Sequence, residues 1–129
     1  IGKGHIKNIP ANIRKYFNFK GRLPFNKMYD ELEKADFLLT AYDTDNEAHI
    51  RYNTTGTSGN FQLVYGFIKP IIMIEDFANI NGFSNSNSIL YKTNDEYFKA
   101  MLKAVNMSND EYLELQKDLQ NYTLFWIFL

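Results

Sequence analysis

Two hydrophobic rhythms alternate along this chain. Over 25–35 the apolar residues Phe25, Met28, Tyr29, Leu32 and Ala35 recur at helical spacing, with Asp30, Glu31, Glu33 and Lys34 on the remaining face. That spacing predicts an amphipathic surface helix, and Pro24 suits its first turn. Over 70–74 every position is apolar, which predicts a strand opened by Pro70 and buried on both sides. Further strands are expected at 16–20 (YFNFK, closed by Gly21), at 36–42 (DFLLTAY) and at 88–91 (SILY), and 1–4 reads as the end of another. A helix-length segment separates the turn at 56–59 from Pro70. Beyond 88–91, Asn94 or Asp95 can cap a helix over 96–105 whose buried stripe is Tyr97, Phe98, Met101, Leu102 and Val105. Ser108 with Glu111 three residues on is a capping-box signature for a last helix carrying Tyr112, Leu113, Leu115, Leu119 and Tyr122.

Strands alternating with helices predict an α/β chain with a parallel sheet covered on both faces. Such sheets bind ligands beyond the carboxyl ends of their strands. Two polar segments are expected at that edge. One is the loop 43–55, which holds Asp43, Asp45, Glu47, His49 and Arg51; the other is the small-residue turn of Thr54, Thr55, Gly56, Thr57, Ser58 and Gly59. Backbone N–H groups and hydroxyls of the turn, with the positive end of the following helix, make a cradle for an anion such as phosphate. The plain alternative is a connecting turn capped by Ser58 or Thr57.

Composition narrows the class. With 129 residues, 45% of them hydrophobic, the chain fits one domain over 1–129 with a sizeable core. A formal net charge of -1 and no basic run argue against nucleic acid as a partner. The absence of cysteine excludes disulfides, thiolate metal sites and cysteine nucleophiles, and favours a reducing, cytoplasmic setting. Asp43, Asp45, Glu47 and His49 lack a spaced second histidine, so a solvated loop is preferred to a metal site, and no cofactor is expected. Of the 11 Phe and 9 Tyr, core packing accounts for Phe37, Tyr65, Phe67, Tyr97 and Phe98, while Tyr42, Tyr52 and Phe83 fall near the site edge. Both ends read as cut. The run Leu124, Phe125, Trp126, Ile127, Phe128 and Leu129 is too short to span a bilayer and is expected to dock on a missing N-terminal domain. A membrane-surface anchor is its second reading, which fits peripheral membrane association of the full-length protein.

Taken in order, Gly2-Lys3-Gly4, Phe19-Lys20-Gly21, Glu33-Lys34-Ala35-Asp36, Gly56-Thr57-Ser58-Gly59, Lys69-Pro70-Ile71-Ile72 and Asn87-Ser88-Ile89 resemble the C-terminal, donor-binding domain of GT-B fold glycosyltransferases. The resemblance implies a Rossmann-like parallel sheet flanked by helices, the truncated C-terminal half of a GT-B fold. It implies binding of a nucleoside diphosphate sugar and sugar transfer to an acceptor held mainly by the other domain, with this fragment inactive alone. By position, Thr57, Ser58 and Gly59 would face the donor diphosphate, Gln62 would contact ribose or sugar, and Arg22 and Leu23 would approach the nucleobase. One departure stands out. Many retaining members carry two glutamates eight positions apart, and the matching positions here are Thr55 and Leu63, or Thr54 and Gln62. No catalytic residue is therefore carried over, and a non-catalytic α/β binding or regulatory module is the alternative.

Overall fold

The computed structural model describes residues 5–54 and 58–127. The chain divides into two compact units, Ile1–Ala35 and Asp36–Leu129.

In the first unit, 3-10 turns at Ile6–Asn8 and Arg14–Tyr16 lead to the helix α1, Phe25–Glu33. The Arg14 guanidinium ties the two turns together, donating to the Ile9 carbonyl at 2.7 Å and the Lys7 carbonyl at 3.1 Å. Pro24 takes the N-cap position in extended backbone, as its fixed φ allows, and its carbonyl accepts from the Met28 N–H. Along α1, Lys34 and Lys20 flank Glu31 at 3.1 and 3.3 Å and hold its carboxyl below the usual range. The strand expected at 16–20 is not formed. Tyr16 closes a 3-10 turn, and 17–20 pairs with no strand among the described residues, so its alternation has no sheet to sit on.

The second unit is a small α/β layer. Its parallel strands β1 (Leu38–Leu39), β2 (Ile71–Ile74) and β3 (Ser88–Tyr91) lie in the order β1-β2-β3. Leu39 pairs with Ile72, Ile72 with Ile89, and Ile74 with Tyr91. All four residues of β2 are buried, as its unbroken apolar run requires. Helices α2 (Glu47–Ile50) and α3 (Gly59–Phe67) separate β1 from β2, and α4 (Asn94–Val105) and α5 (Asn109–Ile127) follow β3. The expected four-strand alternation thus reduces to three strands among the described residues, with helices flanking them.

Side-chain alternation assigns the two faces. Tyr91 meets Tyr97 of α4 edge-on, so Tyr91, Ile89, Ile72, Ile74 and Leu39 point to the α4 face. The opposite face carries Ile71, Met73 and Leu38 and is covered by α3, whose Phe61 and Val64 are buried. Beyond it, Tyr65 of α3 stacks on Phe83 at 5.1 Å and on Tyr122 of α5 at 5.4 Å. Tyr122 lies so close to Gly82 that a Cβ there would overlap its ring, and Gly82 has φ +80°.

Four further expectations change. The strand at 36–42 holds its ladder only at Leu38–Leu39, because the chain turns away to seat Tyr42 among aromatic rings. The loop 43–55 contains α2, capped by the Asn46 side chain accepting from the Ala48 N–H at 3.0 Å, and a 3-10 turn at Arg51–Asn53. The stripe Phe98, Met101, Leu102, Val105 is exposed, and α4 instead buries Ala100 with Tyr97 and Ala104 beside it. Small residues let the helix approach the sheet closely, and that contact fixes its rotation. The N-cap of α4 is Thr93 rather than Asn94 or Asp95, and the Glu96 carboxylate accepts from the Lys92 N–H at 2.8 Å. The capping box at Ser108 forms as expected: Ser108 N donates to Glu111 at 2.9 Å, and Glu111 N donates to Ser108 Oγ at 3.3 Å.

Candidate functional site

An open cleft of about 400 Å³ lies beyond the carboxyl ends of the three strands. β1 contributes Tyr42 and Asp43 through the residues that follow it, β2 contributes Ile74, and β3 contributes Tyr91 and, just after it, Lys92; Thr93, the N-cap of α4, closes it with Asn94 and Tyr97 of that helix. This is the edge where a parallel sheet leaves its strand ends and loops open to a ligand.

Tyr42 is the hub of that edge. Its ring lies 5.2–5.5 Å from those of His49, Tyr52, Phe61 and Phe77, so one side chain joins β1, α2, α3 and the turn after β2. Its hydroxyl bonds Ser58 Oγ, which also accepts from the Asn60 N–H at 3.2 Å as the N-cap of α3. Ser58 is 7% exposed and its hydroxyl is committed to this cap, which leaves backbone N–H groups as what the start of α3 presents. Gly59 opens the helix, and a Cβ on it would meet nothing within 4 Å among the described residues. Gln62 is exposed on α3. Thr57, with Thr55 and Gly56, lies outside the described residues. In the first unit, Arg22 is exposed and Leu23 half-buried.

The acidic loop is held by its own atoms. Asp43 Oδ1 accepts from the Asp45 N–H at 2.9 Å, and His49 Nδ1 accepts from the Asp43 N–H at 3.0 Å. Among the described residues no group of three His, Asp or Glu side chains could hold a metal ion. Lys92 faces Glu75 at 3.6 Å. Burial pushes the Tyr91 phenol up, with Tyr97 adding to it, and pushes Tyr97 up as well, so both stay neutral donors at ordinary pH. Thr40, 4% exposed at the end of β1, has a hydroxyl with no hydrogen-bond partner among the described residues.

Of the aromatic residues expected near the site, Tyr42 lines the cleft, Tyr52 packs behind it, and Phe83 is buried in the core. Lys92, Thr93 and Tyr97 were not singled out as site residues. Their signal was positional, since they follow β3 as Asp43 follows β1, but the helical reading assigned Tyr97 to the core.

Leu124 and Phe125 are exposed on the last turns of α5, and Phe128 and Leu129 lie outside the described residues. No helix among the described residues is long and apolar enough to cross a membrane. No protein-family model, no curated protein and no solved structure matches this chain.

Proposed function

We propose that this chain is the donor-binding half of a glycosyltransferase, holding a nucleoside diphosphate sugar for transfer to an acceptor. The observation that carries the reading is the cleft at the carboxyl edge of a parallel sheet, with the Ser58-capped start of α3 at the same edge. Backbone N–H groups at Ser58 and Gly59, with the α3 dipole, would meet the diphosphate and stabilise it as it departs. Open space over Gly59 suits close approach of a phosphate. Gln62 would reach ribose or sugar. The truncated GT-B architecture, the cytoplasmic setting and a missing N-terminal domain received by 124–129 belong to the same proposal. Exposed Leu124 and Phe125 support the last of these.

Calorimetric titration with uridine and guanosine diphosphates tests it. A Gly59→Val variant branches from a Cβ position that meets nothing within 4 Å among the described residues; with its thermal melt unchanged, it should bind at least about tenfold more weakly. Equal affinities, or no binding by the unaltered chain, would reject the diphosphate role.

The alternative is a non-catalytic binding module, favoured by Thr55 and Leu63, or Thr54 and Gln62, standing where glutamates are expected. Diphosphate binding without sugar transfer or donor hydrolysis in the full-length protein would decide for it.

A further inference from the structure

Asn81 ties together two turns that support the carboxyl edge. Its side-chain nitrogen donates to the Phe77 carbonyl at 2.7 Å and to the Tyr52 carbonyl at 3.1 Å, so both amide protons are spent on backbone acceptors. Two carbonyl partners also fix which end of the amide is nitrogen. The backbone of Asn81 is held as well: its N–H donates to the Ala78 carbonyl at 3.0 Å, and its carbonyl accepts from the Tyr65 hydroxyl. All of these partners lie in the second unit. One side chain thereby joins the 3-10 turn Arg51–Asn53 to the turn Glu75–Phe77 that follows β2. The join matters to the cleft, because the Tyr52 ring is one of those that seat Tyr42.

Asn81 is followed by Gly82, the one Asn-Gly pair in the chain. Asparagine is chemically labile, and before a glycine no Cβ shields the backbone nitrogen that can attack its side-chain amide. In that reaction the Gly82 nitrogen gives up its proton and bonds to Asn81 Cγ, while the bond from Cγ to Nδ2 breaks and the nitrogen leaves as ammonia. Water then opens the succinimide at either carbonyl and leaves aspartate or isoaspartate at 81. One water is consumed for each ammonia released, and no oxidant or reductant is needed.

The folded turn opposes this chemistry at every point. The Gly82 N–H donates to the Asn79 carbonyl at 3.1 Å, which holds the proton that must leave. The 3-10 turn Asn79–Asn81 fixes the backbone that would close the ring, and the departing nitrogen is engaged by Tyr52 and Phe77. The Tyr122 ring lies against Gly82 where a Cβ would stand.

We propose that Asn81 is a latch and a deamidation site in one: local opening of its turn exposes Asn81-Gly82 to water, and the acid that forms cannot close the latch again. A carboxylate has no proton to donate, so it sets acceptor against acceptor at the Tyr52 and Phe77 carbonyls. Isoaspartate also reroutes the main chain through the side-chain carbon. Either product releases the Arg51–Asn53 turn and takes the backing from Tyr42.

The test incubates the full chain at mildly alkaline pH and reads aspartate and isoaspartate at 81 by peptide mass spectrometry. A synthetic peptide of residues 78–84 gives the unprotected rate, and the folded chain should convert at least about tenfold more slowly. Urea short of the unfolding transition should leave the folded rate nearly flat, since a local opening exposes little surface. Tyr65→Phe, which takes the donor from the Asn81 carbonyl, should raise the folded rate at least about fivefold. Chain aged to the acid, separated by its added charge, should melt lower than fresh chain and exchange amide hydrogens faster at Arg51–Asn53; Asn81→Asp should match it where that variant folds. Conversion as fast as the peptide, a rate that climbs with urea as steeply as global unfolding, or a rate indifferent to Tyr65→Phe would overturn the latch. So would an aged chain whose melt and exchange at Arg51–Asn53 are unchanged.

Discussion

On one face of the sheet α3 sets Phe61 and Val64 into a closed aromatic cluster with Tyr42, Phe77 and Phe83; on the other α4 rests on Ala100, Ala104 and Tyr97 and leaves Phe98 and Val105 in solvent. Both helices are apolar along a wide arc. They differ in which part of that arc meets the sheet. The α3 face concentrates burial where it also shapes the carboxyl edge, because Phe61 backs Tyr42 and Tyr42 holds Ser58. On the α4 side Phe98, Met101, Leu102 and Val105 are left exposed. Both sides of the three short strands are buried, but only the α3 side closes its helix's apolar arc.

The comparison breaks most visibly at Phe61. Phe61→Ala removes a side chain that is 3% exposed, and such cavities cost about 3–5 kcal/mol. Urea denaturation should show that loss, with nucleoside diphosphate binding weakened because Tyr42 loses its backing. A cost below about 1 kcal/mol would mean that the α3 face is no better packed than its opposite.

Gly82→Ala comes next. Its φ of +80° strains any L residue by about 1–2 kcal/mol. Displacing the Tyr122 ring that occupies the Cβ position adds about 1–3 kcal/mol more. Thermal melts of Gly82→Ala and Gly82→Asn should both fall, because Asn eases the backbone strain but not the overlap with the Tyr122 ring. An unshifted Gly82→Ala would remove the Tyr65–Tyr122 stack from the account of this face.

Tyr65→Phe is a smaller change on the same face. The hydroxyl donates to the Asn81 carbonyl at 2.5 Å, and leaving that acceptor unpaired costs about 1–3 kcal/mol. Burial pushes the Tyr65 phenol well up, with Tyr122 adding to the shift. The folded chain thus holds this proton more tightly than the unfolded chain. Its contribution is whole below the ordinary tyrosine range, about pH 10, and is lost as pH rises further towards the folded-state value. Tyr65→Phe should lower stability at neutral pH and flatten its alkaline decline. A decline of undiminished slope would place the alkaline sensitivity elsewhere.

The parts of this fold legible in the sequence are those with one reading. Ile71–Ile74 is apolar throughout and could only be a strand covered twice; Ser108 and Glu111 cap α5 by local chemistry alone. The α1 stripe likewise gives its helix to within two residues. Where two partners compete, sequence falls short. Tyr42 continues the apolar run of β1, yet four rings and Ser58 draw it out of the ladder. The run at 16–20 has strand-like residues but no strand to pair with among the described residues. At the site, the edge itself was legible from strand–helix alternation, and Ser58 as a cap from its residue type. The contribution of Lys92 and Tyr97 was not, because it depends on how the start of α4 sits over β3 rather than on any local pattern.

The smallest expected effect is the sharpest test of the contrast between faces. A 3.6-residue period identifies an apolar arc but not its orientation, and Ala100 and Ala104 turn α4 so that Phe98 faces solvent. Phe98→Ala should then change folding stability by no more than about 0.5 kcal/mol, since Phe98 is already 66% exposed and Ala is the better helix former. The same substitution made at Phe61 costs several times more by the packing argument above. Equilibrium unfolding of the two variants side by side measures that ratio directly. If Phe98→Ala costs about 2 kcal/mol or more in the isolated chain, α4 is packed on both arcs and the contrast between the two faces disappears.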